Sequence, residues 1–226
     1  MKNRFFDNRV QLNVEAFDWQ YRDQQLSTLG ADANGRPAVI TQNIGRSTIR
    51  GVEVQGEVLL AARTTLSADV QYLDAHYNSY SYLSPASGGY PLTGCAVSRD
   101  ATRPLYAVDC TGKELYNSPR WTINAGLQHV IELSADDVTL SVNTQFRSPH
   151  YAAQEYLSVE RLGTTTVTDA QLSISPKSAR WSAAVFVHNI ENTRLLVYAN
   201  PSIQSNLLVG TYSSPRTFGV RLSGKF

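Results

Sequence analysis

Val52-Glu53-Val54-Gln55-Gly56-Glu57-Val58-Leu59-Leu60 alternates apolar and polar side chains almost without a break. The even positions carry Val52, Val54, Gly56, Val58 and Leu60, and Glu53, Gln55 and Glu57 stand between them. Successive side chains of a strand point to opposite faces, so the stretch predicts a β-strand with one apolar and one wet face. The same period returns along the chain. Leu66, Ala68, Val70 and Tyr72 oppose Ser67, Asp69 and Gln71; Trp121, Ile123, Ala125 and Leu127 oppose Thr122, Asn124 and Gln128. Val138, Leu140 and Val142 form a further row, as do Ala170, Leu172 and Ile174. Trp181, Ala183, Val185 and Val187 follow, with a less polar opposite face, and the chain closes on Phe218, Val220, Leu222, Gly224 and Phe226. An earlier strand carries Val10, Leu12, Val14 and Ala16, and its phase flips at Phe17, Trp19 and Tyr21. A β-bulge would produce that flip. This predicts about eight strands and no helix.

The predicted connections alternate in length. A loop over roughly 25–38 precedes a tight turn at Ala62-Arg63, and a very long loop over roughly 78–118 precedes a tight turn at Ser134-Ala135-Asp136-Asp137. A medium loop over roughly 148–162 precedes Pro176-Lys177-Ser178-Ala179, and the last, over roughly 199–214, is medium again. In an up-and-down antiparallel sheet this collects every long loop at one end. A soluble sandwich with Greek-key links has no reason to segregate its loops in this way. A transmembrane β-barrel does, and it also alternates apolar and polar faces and carries aromatic girdles. Tyr72, Trp121, Phe146, Trp181, Phe218 and Phe226 stand where such belts are expected.

Composition narrows the classes further. The chain has 226 residues, of which 17% are charged, against roughly 25% in ordinary soluble domains. A net charge of +1 provides no basic field, so no nucleic-acid partner is expected. No apolar run approaches the roughly twenty residues of a membrane helix. Two cysteines exclude a dense disulfide scaffold and a four-cysteine zinc site. Met1-Lys2-Asn3-Arg4-Phe5-Phe6-Asp7-Asn8 leads straight into patterned sequence, without the apolar core of a signal peptide. The expectation is that an N-terminal part is missing.

Four segments carry a family resemblance. They are Asn43-Ile44-Gly45 with Arg50-Gly51-Val52-Glu53; Asn117-Ser118-Pro119-Arg120-Trp121; Trp181 to Phe186 with His188-Asn189-Ile190-Glu191-Asn192; and Ser214-Pro215-Arg216-Thr217-Phe218-Gly219-Val220 running to Phe226. In this order they resemble the C-terminal part of the β-barrel of TonB-dependent outer-membrane receptors. The resemblance implies a barrel of about 22 strands plugged by an N-terminal domain. At about 28 residues per strand such a barrel needs roughly 620 residues, so 1–226 is expected to be its last eight strands, without plug domain, TonB box or signal peptide. In isolation it should form an open, curved sheet with two free edges. Phe226 is implied to be part of the barrel-assembly signal, with a periplasmic C-terminus and the long loops outside a Gram-negative cell.

The implied function is TonB-energised uptake of a scarce nutrient, most often a ferric siderophore. Implied partners are outer-membrane lipid and lipopolysaccharide, the TonB complex through the missing N-terminal part, and the barrel-assembly machinery. The alternative is a complete small eight-stranded barrel that anchors or adheres, closed by pairing of residues 10–16 with 218–226. No Walker loop, dinucleotide fingerprint or nucleophile elbow is found, and His76, His129, His150 and His188 lack metal-ligand spacing. No enzyme activity, cofactor or metal is expected, and function should reside in the loops. Outside the cell, Cys95 and Cys110 are free to form a disulfide, with two unpaired thiols as the alternative. Six of the 12 tyrosines fall at 77, 80, 82, 90, 106 and 116. Tyr80, Tyr82, Tyr90 and Tyr106 are the candidate ligand contacts, because tyrosine offers a broad face with a polar tip.

Overall fold

The computed structural model describes residues 2–31, 36–85, 89–178, 180–201 and 207–224. Its frame is an antiparallel sheet of β1 (Lys2–Phe5), β2 (Val10–Ala31), β3 (Pro37–Ala61), β4 (Thr64–Pro85), β7 (Trp121–Glu132), β8 (Asp136–Arg147), β11 (Thr165–Pro176), β12 (Trp181–His188) and β15 (Thr217–Gly224), neighbours in that order. Short hairpins decorate the long-loop end: β5 (Ala96–Arg99) with β6 (Leu105–Asp109), β9 (His150–Tyr151) with β10 (Arg161–Leu162), and β13 (Leu196–Pro201) with β14 (Leu208–Tyr212). A one-turn 3₁₀ helix, Ser158–Glu160, precedes β10. The eight long strands are those read from the alternation. β1 was not foreseen; it folds back on Val10–Asn13 through a turn in which Phe6, Asp7 and Asn8 have φ of 53°, 55° and 66°.

The ladders show why alternation sets the register. Val10, Val58, Leu66, Leu127, Val142, Ala170, Val187 and Phe218 are successive partners across all eight long strands. The adjacent row is Gln11, Glu57, Ser67, Gly126, Asn143 and Asp169. A slip of one residue in any strand would put an apolar side chain in the polar row. Among the described residues no second layer covers the apolar face. Leu172, Val185 and Phe218 are 46%, 52% and 83% exposed, whereas a sandwich would bury them. The buried clusters lie instead among the residues of the long-loop end.

Three sequence expectations are revised. The flip at Phe17 is no bulge: β2 and β3 pair without interruption from Val10↔Val58 to Tyr21↔Ser47, and the first shift follows Tyr21. What changes is the surroundings. On the formerly apolar face Asp18 pairs with Arg50 at 3.0 Å, while Phe17 and Trp19 stack at 4.6 Å on the other face. Second, β2 and β3 continue to Ala31 and from Pro37 through most of the expected 25–38 loop, and β4 continues to Pro85. Third, residues 10–13 already have a partner within the chain, β1, on their outer side. Among the described residues β15 pairs with β12 alone, so the sheet is open and no ladder joins β2 to β15. A closed eight-stranded barrel requires that ladder. Phe226 lies outside the described residues.

Candidate functional site

The long-loop end is a packed cap. β6 pairs with the far end of β4, from Ser81↔Asp109 to Pro85↔Leu105, and β5 pairs with β6. A Cys95–Cys110 disulfide ties this hairpin together across 15 residues of sequence. At the hairpin tip Asp100 accepts from the backbone of Thr102 and Arg103 at 2.9 and 3.0 Å and from the Arg103 guanidinium at 2.8 Å. Those bonds, Arg103's foremost, hold its carboxyl well below the usual range.

The candidate tyrosines separate. Tyr80 is wholly buried, its ring 4.7 Å from that of Tyr77, among Val108, Cys110, Leu115 and Tyr156. It is therefore a residue of the cap's core. Tyr77 and Tyr80 differ in parity yet share this core, because the β3–β4 ladder skips Asn78 between Tyr77↔Ser47 and Ser79↔Arg46. Burial pushes the phenols of Tyr77, Tyr80 and Tyr156 upward. Tyr82 is half-buried, and burial, then the nearby Glu155 charge, raise it to about 12. Tyr90 is 60% exposed and meets the half-buried Tyr106 edge-on at 5.4 Å.

A strap at 152–160 crosses the cap and was not foreseen from sequence. Its Glu155 carbonyl accepts from Gly94 N at 2.7 Å and Thr93 Oγ1 at 3.0 Å, and the Tyr156 hydroxyl donates to Glu114 O at 2.6 Å. The signal available was a glycine beside a cysteine. A Cβ on Gly94 would lie 2.1 Å from Tyr156 O, an approach only glycine permits.

The polar face of the strands forms a second surface. A concavity of about 660 Å³ is lined by Asp69, Asn124, Asn143, Gln145, Arg147, Asp169 and His188, among others. Gln145 donates to Asn124 at 2.9 Å, and the His188 ring lies 2.9 Å from Asp169. The wall is fitted to hydrogen bonding. Among the described residues no cluster of three acidic, histidine or cysteine side chains is placed to hold a metal.

The family model described as TonB dependent receptor-like, beta-barrel, matches residues 1–190. The chain belongs to that family. Solved TonB-dependent receptors share its fold. The ferric yersiniabactin uptake receptor FyuA of Yersinia pestis aligns with a TM-score of 0.70 at 16% identity, over 98% of this chain and 28% of that receptor. The siderophore receptor PiuA of Acinetobacter baumannii aligns with a TM-score of 0.66 at 15% identity, over 98% and 26%. The ferric preacinetobactin receptor BauA of the same species aligns with a TM-score of 0.60 at 16% identity, over 95% and 27%. This chain thus spans about a quarter of the length of these TonB-dependent receptors. No curated protein matches it by sequence.

The family is one of outer-membrane receptors and transporters rather than enzymes, and the uncovered apolar face has the aromatic margins of such a barrel wall. Tyr72 and Trp121, rings 4.9 Å apart, mark its margin toward the long loops, and Trp181 marks the opposite one. The receptor motifs turn out to be knots. Asn189, at φ 57°, ends β12; its amide nitrogen reaches Thr193 O and Ser214 O at 2.9 and 3.2 Å, and its backbone N–H donates to Asp169. Glu191 accepts from the backbone and hydroxyl of Thr168, and Asn192 accepts from Arg216 N at 2.9 Å. His188 to Asn192 is thereby tied to the Pro215-Arg216 opening of β15.

Proposed function

We propose that residues 1–226 are the C-terminal eight spanning strands of a TonB-dependent receptor barrel of about 22 strands, and that the complete protein imports a ferric siderophore. The observation that carries this is the open sheet: among the described residues no ladder joins its first strands to β15. A bare edge within a bilayer leaves backbone groups unsatisfied, and the chain covers 28% of FyuA and 26% of PiuA. The strands missing from one side would complete both edges at once. In this reading the long loops face outward, the final strand runs inward to a periplasmic Phe226, and Phe226 is read by the barrel-assembly machinery. Lipid and lipopolysaccharide meet the apolar face, a plug domain fills the polar concavity, and the TonB complex engages the complete protein's N-terminal part, outside residues 1–226. The cargo class rests on the likeness to siderophore receptors. Tyr90 and Tyr106, the cap's accessible aromatic pair, are its proposed contacts.

The test is a titration of the full-length gene product in detergent with iron-loaded and iron-free siderophores, followed by tryptophan fluorescence, beside growth of a deletion strain under iron limitation. Binding of an iron-loaded siderophore that weakens in Tyr90→Ala/Tyr106→Ala is expected. Indifference to every ferric chelate together with unimpaired growth would remove the cargo assignment.

A further inference from the structure

We propose that the strap 152–160 and the disulfide-bridged loop 89–116 form a proton-controlled clasp, latched while the Glu155–Glu160 pair holds a proton and released when both carboxyls are ionised. The inference rests on the packing of these loops and is independent of the cargo.

The geometry is that of two buried acids held by hydrogen bonds alone, Glu155 by its own backbone and Gln154, Glu160 by the backbone of Leu157 and Tyr156. Glu160 is wholly buried and Glu155 nearly so. One oxygen of each, Glu155 Oε2 and Glu160 Oε1, has no hydrogen-bond partner, and neither has the hydroxyl of the buried Tyr80. The other Glu160 oxygen accepts from Leu157 N at 3.0 Å. Among the described residues neither acid forms an ion pair. The nearby cations face rings instead: Lys113 lies over Tyr156 and Arg161 over Tyr151. Glu155 and Glu160 face each other along the strap. From β4 they meet Tyr80 and Tyr82, while Tyr156 meets Glu114 of the loop. The charged neighbours that raise Glu155 and the surrounding phenols are acids or phenols, and the two cations lie over rings. An ionised carboxylate buried among such groups is unfavourable, and a proton relieves it.

The charge acts where the two loops are joined. Glu155 itself carries the carbonyl that accepts from Gly94 and Thr93, and Ala152 N donates to Glu160 O at 2.9 Å. Burial, then the neighbouring Glu160, push the Glu155 carboxyl from its ordinary 4.5 up to about 7, and burial also raises Glu160. A group whose folded value is raised contributes stability that is complete below its unfolded value and is lost as pH rises through the folded one. The clasp is therefore tight in acid, loosens as pH rises from about 4.5 to about 7, and stays loose above that.

Amide hydrogen exchange on the full-length gene product in detergent tests this, with rates corrected for the intrinsic pH dependence. Protection of Gly94 and Ala152 should fall about tenfold between pH 6 and pH 8.5, most of it complete near pH 7 because the tenfold-per-unit slope runs between the released and the packed carboxyl's values, while β7 and β8 stay constant. Glu155→Gln/Glu160→Gln should abolish the dependence. If that double variant fails to fold, Glu155→Gln alone and loss of the protonated-carboxyl infrared band over the same pH interval serve in its place. Equal wild-type protection at both pH values would overturn the proposal, as would an unchanged dependence in the variant. So would protection restored at pH 8.5 by added calcium and removed by a chelator, which would make the pair a cation site instead.

Discussion

The ring of Phe17 on β2 occupies the space that a side chain at position 51 of β3 would need: a Cβ on Gly51 would lie 2.5 Å from Phe17 Cζ and 2.6 Å from the Tyr72 carbonyl. The two residues are ladder partners, and the glycine of Arg50-Gly51-Val52-Glu53 is the seat of an aromatic ring. Gly51→Ala should therefore overpack the wall and cost about 1–3 kcal/mol. Phe17→Ala added to it should recover only part, since the Tyr72 carbonyl remains. Urea titration of folded protein in micelles measures both; full stability of Gly51→Ala would contradict the close approach.

Leu127 and Gln128 adjoin in β7 but point to different solvents. Leu127 pairs with Leu66 and Val142, and Gln128 pairs with Thr65 and Ser141. Leu127→Arg places a charge in lipid, at about 2–4 kcal/mol near the bilayer midplane. Gln128→Arg joins a wet wall and should cost little. Equal losses at the two sites would reverse the assignment of faces.

At the long-loop end, Cys95→Ser/Cys110→Ser reopens a bridge across a sequence separation of 15. On the chain-entropy model that removes roughly 3 kcal/mol from the cap. The strands should be untouched, so limited proteolysis should cut within 89–116 while the barrel band on an unheated gel stays folded.

Gly94→Ala attacks the same cap by another route, pushing a methyl group onto the Tyr156 carbonyl. The strap should lift, and the Tyr156 phenol, which burial holds high, should return toward its ordinary value. Ultraviolet titration reads this directly. An unaltered titration would mean that the backbone absorbs the methyl group.

Asn189→Ala removes bonds to Thr193 and Ser214 and places a side chain that disfavours left-handed backbone at φ 57°. A loss of about 1–3 kcal/mol is expected. Asn189→Gly, which keeps the backbone freedom but not the bonds, should fall between, as the same urea titration will resolve.

What sequence reading could see depended on length. Strands such as Thr64–Pro85 repeat their period often enough to be read, and their apolar rows then fix the register. β1 has four residues and β9 two, too few to display a period. The burial of Tyr80 was not legible because one skipped residue in the ladder at Asn78 turns it inward, and alternation carries no trace of such a skip. Nothing in the sequence around Glu155 and Glu160 marks them as buried. Their burial follows from a strap folding across a distant hairpin, which no local pattern encodes. The motif at His188 to Asn192 was legible as a family mark but not as a knot, since its partners Thr168 and Ser214 lie elsewhere in the chain.

The uninterrupted ladders beneath the loops give the chain two regimes of tolerance to change. Lengthening the β5–β6 hairpin at Ala101 adds chain beyond the last rung, and its entropic cost grows only logarithmically with length. One residue inserted between Val54 and Gln55 would exchange the faces of everything beyond it on β3, against neighbours that cannot follow. Descendants of such a sequence can therefore trade whole loops, and with them whatever the loops grip, while the wall that carries them admits substitution but almost no change in length.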